Sequence, residues 1–358
     1  MRTMEDVLLG FESFKDVSLD DPFFDSLKAD YVEFAEWFKK KGDQQAYTFR
    51  NSSSDLDGFL YLKVEDGPML DTVPPQPPAK RLKIGTFKIN PHGTRLGERF
   101  IKRAFDIAVD QKVSAIYVTV FEKHAGLVDL FTRYGFVQNA TKQTANGEEL
   151  VLERNLDAVV GDVVLDYPRI PLRENRHFVL SLYPEWHSRL LPDSLLKTES
   201  SSILKDVSHT NSIHKIYLAA MTGIDQLKRG DTLMIYRTAS GGAAYYTSVV
   251  TSLCVVEELT NINNFSTIEK FLEYCAPYSI FSEGELRKFY NNKKYPWIIR
   301  FTYNWALKKR PNRKALLEEV GLKPNTYWGF FQLTTDQFNA ILELSGDYEK
   351  ACSLVYPS

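Results

Sequence analysis

The sequence predicts an α/β (α+β) chain of two parts: a mixed sheet flanked by helices over residues 1–157, and a small β-barrel with helices over 205–358. Three observations predict it. Up to about residue 157, segments with the two-residue period of strands alternate with segments of helical period. The polar run KTESSSILKDVSHTNS (197–212) then interrupts the pattern. Beyond it, strand-like segments restart and dominate.

In the first part, SLKADYVEFAEWFKKKG (26–42) spaces Leu27, Tyr31, Phe34 and Trp37/Phe38 at helical intervals, and Gly42 suits the residue after a helix. QAYTFR (45–50) and GFLYLKV (58–64) are strand-like, and the Pro-rich DGPMLDTVPPQPPAK (66–80) is expected to be a loop. LKIGTFKI (82–89) is the next strand. Leu96, Phe100, Ala104, Ile107 and Ala108 then share one helical face. AIYVTVF (115–121) is apolar enough for a buried strand. LVDLFTRYGF (127–136) is a short helix closed at Gly135, and ELVLERN (149–155) is the last strand.

The stretch 158–204 is expected to be a connector, with SLYPEWHSRLLPDS anchored by Trp186, Leu190 and Leu191. In the second part KIYLAA, DTLMIYRT and YYTSVVTSLCVVEEL are strand-like and are separated by LKRGD and ASGGA, both good turn material. Helical stretches follow near 267–274 and 282–290. YPWIIRFTYNWAL is a strand, RKALLEEVG a helix, YWGFFQLT a strand and TDQFNAILELS a final helix.

Composition narrows the function classes. A formal net charge of −2 gives no global pull toward nucleic acid, so any such signal must be local. The three cysteines, Cys254, Cys275 and Cys352, have no CxxC spacing, which argues against a disulfide framework or a zinc site and leaves no metal expected. The N-terminus lacks the apolar run of a signal peptide, and no stretch approaches the roughly 20 apolar residues of a membrane span. The expectation is a cytoplasmic protein without a membrane partner.

One local signal is KINPHGTRLGERFIKRAF (88–105). A strand that ends in a glycine-containing loop and then a helix exposes unpaired backbone N–H groups at the positive end of the helix, which favours a pyrophosphate. The segment resembles motif A of the GNAT acetyltransferase superfamily, with HGTRLG (92–97) in the place of the family's pyrophosphate loop. His92 stands where Gln or Arg is usual, and Arg95 where the middle glycine is usual. AIYVTVFEKHAGLVDLFTRYGFV (115–137) resembles the family's next strand and helix, closed by Gly135-Phe136. The resemblance covers residues 1–157. It implies a GNAT-type mixed sheet, acetyl-CoA as acyl donor, and cofactor contacts from Phe87, Lys88, Ile89, His92, Gly93, Thr94, Arg95, Leu96, Gly97 and Glu98. The family often has a Tyr as acid where this chain has Phe131. His124 and Tyr134 are the alternative acids, and Glu122 or Asp57 the candidate bases, because the amine must lose a proton to a group suited to neutral pH.

The second signal is RKFYNNKKYPWIIRFTYNWALKKRPNRK (287–314), with ten basic residues and no acidic one. Cations that neutralise phosphates, interleaved with aromatics that stack bases, point to nucleic acid. Lys293, Lys294, Arg300, Lys308, Lys309, Arg310, Arg313 and Lys314 are the candidate contacts. This part resembles the PUA-like small barrels, in particular the ASCH and EVE branches, on LKRGDTLMIYRT (227–238) and the following YYTSVVTSLCVVEEL. That resemblance implies a pocket for RNA or a modified nucleotide, with Tyr236, Arg237, Thr247, Lys215 and Trp328 as candidates. The first expectation is an acetyl-CoA-dependent N-acetyltransferase whose second part recognises nucleic acid such as tRNA. An inactive acyl-CoA sensor or scaffold, and a protein or small-amine N-acetyltransferase, are the alternatives.

Overall fold

The computed structural model describes residues 9–51, 53–90, 95–171, 176–194, 212–239 and 241–356. The chain divides into two compact units, Met1–Val159 and Val160–Ser358. Both are mixed α/β.

Unit 1 is built on a seven-stranded sheet: β1 (Gly10–Ser13), β2 (Gln45–Arg50), β3 (Leu56–Met69), β4 (Gln76–Ile89), β5 (Ala115–Val120), β6 (Val137–Thr144) and β7 (Gly147–Asn155), in the order β1-β2-β3-β4-β5-β7-β6. Only β4 and β5 run parallel. Their crossover is α3 (Leu96–Asp110), which sets Phe100, Ile101, Ala104, Phe105 and Ala108 into the core. Phe100, Ile101 and Phe105 alone supply roughly 5–9 kcal/mol of gross burial, enough to place the crossover on one face of the sheet.

Three elements depart from the sequence expectation. The single helix expected over 26–42 is two, α1 (Asp25–Asp30) and α2 (Phe34–Lys40), because Tyr31 is extended at φ −130°. The Pro-rich stretch is not a loop. β3 and β4 run through it as a long hairpin, and the ladder slips where Pro68, Pro77 and Pro78 cannot donate to it. β6, unforeseen, caps the edge beyond β7. α4 (Ala125–Arg133) follows β5 as expected.

Unit 2 begins at Val160, so the described part of the stretch expected to be a connector belongs to its fold. Residues 195–211, which hold most of the expected polar linker, lie outside the described residues. Its six-stranded sheet takes β9 (His177–Leu182), β10 (His214–Ala219), β11 (Thr232–Arg237), β12 (Val249–Asn261), β13 (Trp297–Ala306) and β14 (Phe330–Leu333) in the order β10-β13-β12-β11-β9-β14. β9 pairs parallel with β11, and every other pair is antiparallel. The described strands do not close into a barrel. They form an open sheet, bent by register slips in β12. A two-stranded pair joins β8 (Ile170–Pro171) to β15 (Val355–Tyr356). Among the described residues the unit carries seven α-helices: α5 (Pro184–Leu190), α6 (Ala244–Thr247), α7 (Ile268–Cys275), α8 (Glu283–Asn292), α9 (Arg313–Glu318), α10 (Thr335–Ser345) and α11 (Tyr348–Leu354). Among the described residues no helix is long and apolar enough to cross a membrane.

Candidate active site

β4 and β5 pair only from Arg81–Ala115 to Ile84–Val118, and then part. Past that point β4 is bonded on its β3 side alone. Backbone groups alternate in direction along a strand, so those of Gly85–Ile89 that face β5 have no ladder partner. The parting begins at a bulge. Gly85 is the extra residue between the pairs Leu62–Ile84 and Tyr61–Thr86. A side chain there would meet the Tyr61 ring, with Cδ1 2.8 Å from an added Cβ.

A cavity of about 990 Å³ opens beside this parting. Its wall includes Phe87, Lys88 and Ile89 from β4, Thr119 from β5, His124 and Leu130, and Asp30, Tyr31 and Glu149. The last three were not singled out from the sequence. The break between α1 and α2 brings them in. Tyr31 Oη donates to Glu149 Oε1 at 2.7 Å, its ring stacks on Phe121 at 5.2 Å, and Val32 N donates to Asn146 Oδ1 at 3.3 Å. Asn146 also donates to both Glu33 carboxylate oxygens at 3.0 and 2.9 Å. The β6–β7 turn and the α1–α2 break thus hold each other in place over the cavity.

The electrostatics of this end are specific. Glu149 is 4% exposed. Burial, reinforced by the hydrogen bond to Glu149 and its charge, pushes the Tyr31 phenol far above its usual range, so Tyr31 stays a donor. Asp30 Oδ2 lies 2.9 Å from His124 Nε2, and Asp30 also pairs with Lys123. Burial opposes the Asp30 charge, but the hydrogen bond and charge of Lys123, with the charge of His124, hold its carboxyl below the usual range. His124 precedes α4 without capping it by its side chain. Its carbonyl accepts from Leu127 N and Val128 N, while its side chain is fixed by Asp30 instead.

The other expected catalytic residues sit elsewhere. Tyr134 is 1% exposed in the core behind α4 and is not on the cavity wall. A helical offset of three residues turned it inward. Glu122 is exposed and outside the wall. Asp57 is buried and accepts from Asn90 Nδ2 at 3.3 Å. Phe131 is core, 5.3 Å from the Phe87 ring.

Of the expected pyrophosphate loop, His92, Gly93 and Thr94 lie outside the described residues. Arg95 takes φ +56°, the left-handed conformation that a glycine would adopt without cost. Its Nη1 donates to Glu98 Oε1 at 3.0 Å, and Arg133 Nη1 approaches the same oxygen at 3.8 Å. Leu96 and Gly97 are buried. An added Cβ on Gly97 would lie 2.8 Å from Leu130 Cδ2 and 3.3 Å from Ile89 Cδ1. Gly97 therefore serves the close packing of α3 on α4.

In unit 2 the basic, aromatic stretch is dispersed. Phe301, Tyr303 and Trp305 are buried, and Phe289, Tyr290, Tyr295 and Trp297 pack on the same core, so their faces are committed to packing. Arg300 Nε pairs with buried Glu257 Oε2 at 3.0 Å. Arg313 stacks on Trp328 at 4.4 Å, Lys293 on Tyr290 at 3.6 Å and Lys294 on Tyr295 at 5.2 Å, while Lys314 pairs with Glu318 at 3.8 Å. Arg310 is half-buried. Lys308 and Lys309 stand exposed after β13. Among the expected pocket residues, Tyr236 and Trp328 meet at 5.1 Å, Lys215 and Arg237 are buried, and Thr247 bonds to its own turn. Among the described residues no group of His, Cys, Asp and Glu could hold a metal ion.

A scan against protein-family models finds no match, and no curated protein matches the chain. Solved structures do resemble parts of it. A crystal structure of an ASCH protein from Zymomonas mobilis matches at 11% identity and a TM-score of 0.32, covering 48% of this chain and 99% of that one. The ribosomal-protein-S18-alanine N-acetyltransferase from Escherichia coli matches at 13% identity and 0.29, covering 43% and 97%. Naa20 from Chaetomium thermophilum, in complex with a bisubstrate analogue, matches at 10% identity and 0.31, covering 41% and 85%. The chain is thus similar in part to N-acetyltransferases and in part to an ASCH protein.

Proposed function

We propose that unit 1 is an acyl-CoA-dependent N-acyltransferase, with acetyl-CoA as donor. The observation that carries this is the parting of parallel β4 and β5 beside a cavity that reaches the Tyr31–Glu149 pair. The donor brings an activated thioester when bound. The gap-facing backbone of Gly85–Ile89 is of the kind that pairs with an amide-containing arm, and its N–H groups suit an oxygen that gains charge. The N-terminus of α3, a helix of 15 residues, is the positive end of its dipole and suits a pyrophosphate. Glu98 is buried in that first turn, and Arg95 and Arg133 offset its charge.

Glu149 takes the proton of the acceptor amine. It is buried, and Tyr31, which stays protonated, orients it. His124, held by Asp30, delivers a proton to the departing sulfur. The pair takes the place of the missing phenol at Phe131.

Calorimetric titration of acetyl-CoA into the purified protein, followed by thiol release with added amines, tests this. The expectation is micromolar binding and amine-dependent release. Absence of binding rejects the reading. Binding without transfer to any amine makes unit 1 an acyl-CoA sensor instead.

For unit 2 we propose contact with nucleic-acid phosphates through the exposed Lys308 and Lys309. With three of the aromatics buried and the other four packed against the core, the affinity is electrostatic. The double variant Lys308→Glu/Lys309→Glu is expected to weaken binding of total tRNA and to flatten the dependence of log K on log salt by about 2. An unchanged slope discards the proposal.

A further inference from the structure

The cavity of unit 1 is electrically two-ended, and its second end is not used by the chemistry above. Lys83 and Tyr117 are register partners on β4 and β5, Thr119 pairs with Val151, and Glu149 lies two residues from Val151 along β7. By strand alternation, Lys83, Tyr117, Thr119 and Glu149 share one face of the sheet. Register puts Glu149 four residues beyond the level of Lys83, about 13 Å along the strands.

The Glu149 end holds Asp30 and Glu33 as well. The Lys83 end is cationic. Lys41, Lys63 and Lys83 line it, with Glu65 as the carboxylate. Glu65 already accepts from Lys63 Nζ at 3.1 Å and from the Tyr117 hydroxyl. Lys142, also on the wall, is taken by Asp71. Lys63 and Lys83 are direct cross-strand partners, an arrangement of like charges that costs stability. Among the described residues Lys83 has no carboxylate in ion-pair range. Its ammonium lies 5.6 Å from the Tyr117 ring centre, and that of Lys41 lies 5.8 Å from Tyr61. Burial, opposed in part by the charge of Glu65, depresses the Lys83 pKa. A half-buried cation facing another cation is a placement that an anion would relieve.

That anion is not the donor's pyrophosphate. Lys83 is six residues before Ile89, about 20 Å back along β4 from the end that leads to α3. The cavity volume, about 990 Å³, is of the size that encloses a small molecule.

We propose that the acceptor is a small, elongated primary amine that carries an anionic group, a carboxylate or a phosphate, at its far end, with its amine at Glu149 and its anion held by Lys83 and Lys41. This rests on the acyltransferase reading of the same cavity. It names the substrate class, and it places specificity in lysines that take no part in proton transfer.

The test uses the full chain with acetyl-CoA and four amines long enough to reach between the two ends: 6-aminohexanoate, 6-aminohexyl phosphate, 6-amino-1-hexanol and 1,6-diaminohexane. The two anionic amines are expected to exceed 6-amino-1-hexanol in kcat/KM by about tenfold or more, and the better of the two identifies carboxylate or phosphate. Lys83→Met is expected to shrink that preference about tenfold, through KM, and Lys83→Glu to shift it toward 1,6-diaminohexane. Equal turnover of 6-amino-1-hexanol and the anionic amines, or a preference unmoved by both variants, overturns the proposal. Where no amine turns over, calorimetric titration of 6-aminohexyl phosphate decides: binding lost in Lys83→Met supports the anion site, and absent or unchanged binding overturns it. The acetyl-CoA titration reports separately on the acyltransferase reading.

Discussion

Glu149→Gln is expected to lower kcat by about 10²- to 10⁴-fold, the range for loss of a general base. Gln keeps the volume and an oxygen that accepts from the Tyr31 hydroxyl, now at 2.7 Å from Glu149 Oε1, so the contact over the cavity survives. What is lost is the ability to take a proton. Acetyl-CoA affinity is expected to stay within about twofold, because the proposed donor contacts lie on β4 and α3 and not on β7. Steady-state thiol release and calorimetry on the same preparation separate the two effects. A Gln variant that turns over within a few-fold of the parent transfers the role of base to the His124–Asp30 pair, whose atoms lie 2.9 Å apart on the same wall.

That prediction could not have been made from the sequence, and the reason is physical. Glu149 looks like the start of a strand and is the third residue of β7, and nothing local distinguishes it from Glu148. Its role depends on Tyr31, 118 residues away. The same contact defeated the expectation of one helix over 26–42, because the helical spacing of Leu27, Tyr31 and Phe34 is real but tertiary hydrogen bonds pull Tyr31 and Val32 out of it. His124 was legible because it follows a buried strand and precedes a helix, whereas Asp30, its partner 94 residues back, was not. α3 was legible from its apolar face, and α10, read only as a helical stretch, is opened by a Thr334–Gln337 capping box and closed by Gly346. β9 was hidden in the supposed connector because its ladder neighbours, β11 and β14, are remote in sequence. The aromatics of 287–314 promised stacking faces, but a strand's alternation says that one face is buried without saying which contacts bury it.

The motif LKRGD, which carries the resemblance of the second part to the PUA-like barrels, has a structural role that yields the largest expected loss of stability. Asp231 is fully buried. It accepts from Arg176 Nε at 2.8 Å on one oxygen, and from Arg176 Nη2 and from Lys228 N at 2.7 Å on the other. Arg176 continues to Gln226 O at 2.9 Å and lies over Phe178 at 5.1 Å. Arg176 immediately precedes β9 and Asp231 immediately precedes β11, the one parallel pair in this sheet. Parallel strands have no hairpin to set their register, and a slip of one residue would turn Val179 and Leu180 to the wrong faces. The Arg176–Asp231 clamp fixes the register at Thr232–His177. Asp231→Ala leaves a guanidinium without its carboxylate, and is expected to destabilise unit 2 by about 3 kcal/mol. The figure is taken at the lower end for a buried pair because Arg176 remains 25% exposed and water can reach it. For a unit of this size the midpoint of thermal unfolding should fall by roughly 6–12 °C. Asp231→Asn, which still accepts from Arg176 and from the Lys228 N–H, is expected to lose less than half as much. Denaturant unfolding of both variants checks the ordering. Equal losses would mean that charge alone holds the clamp, and a loss below about 1 kcal/mol in Asp231→Ala would mean that the sheet keeps its register without it.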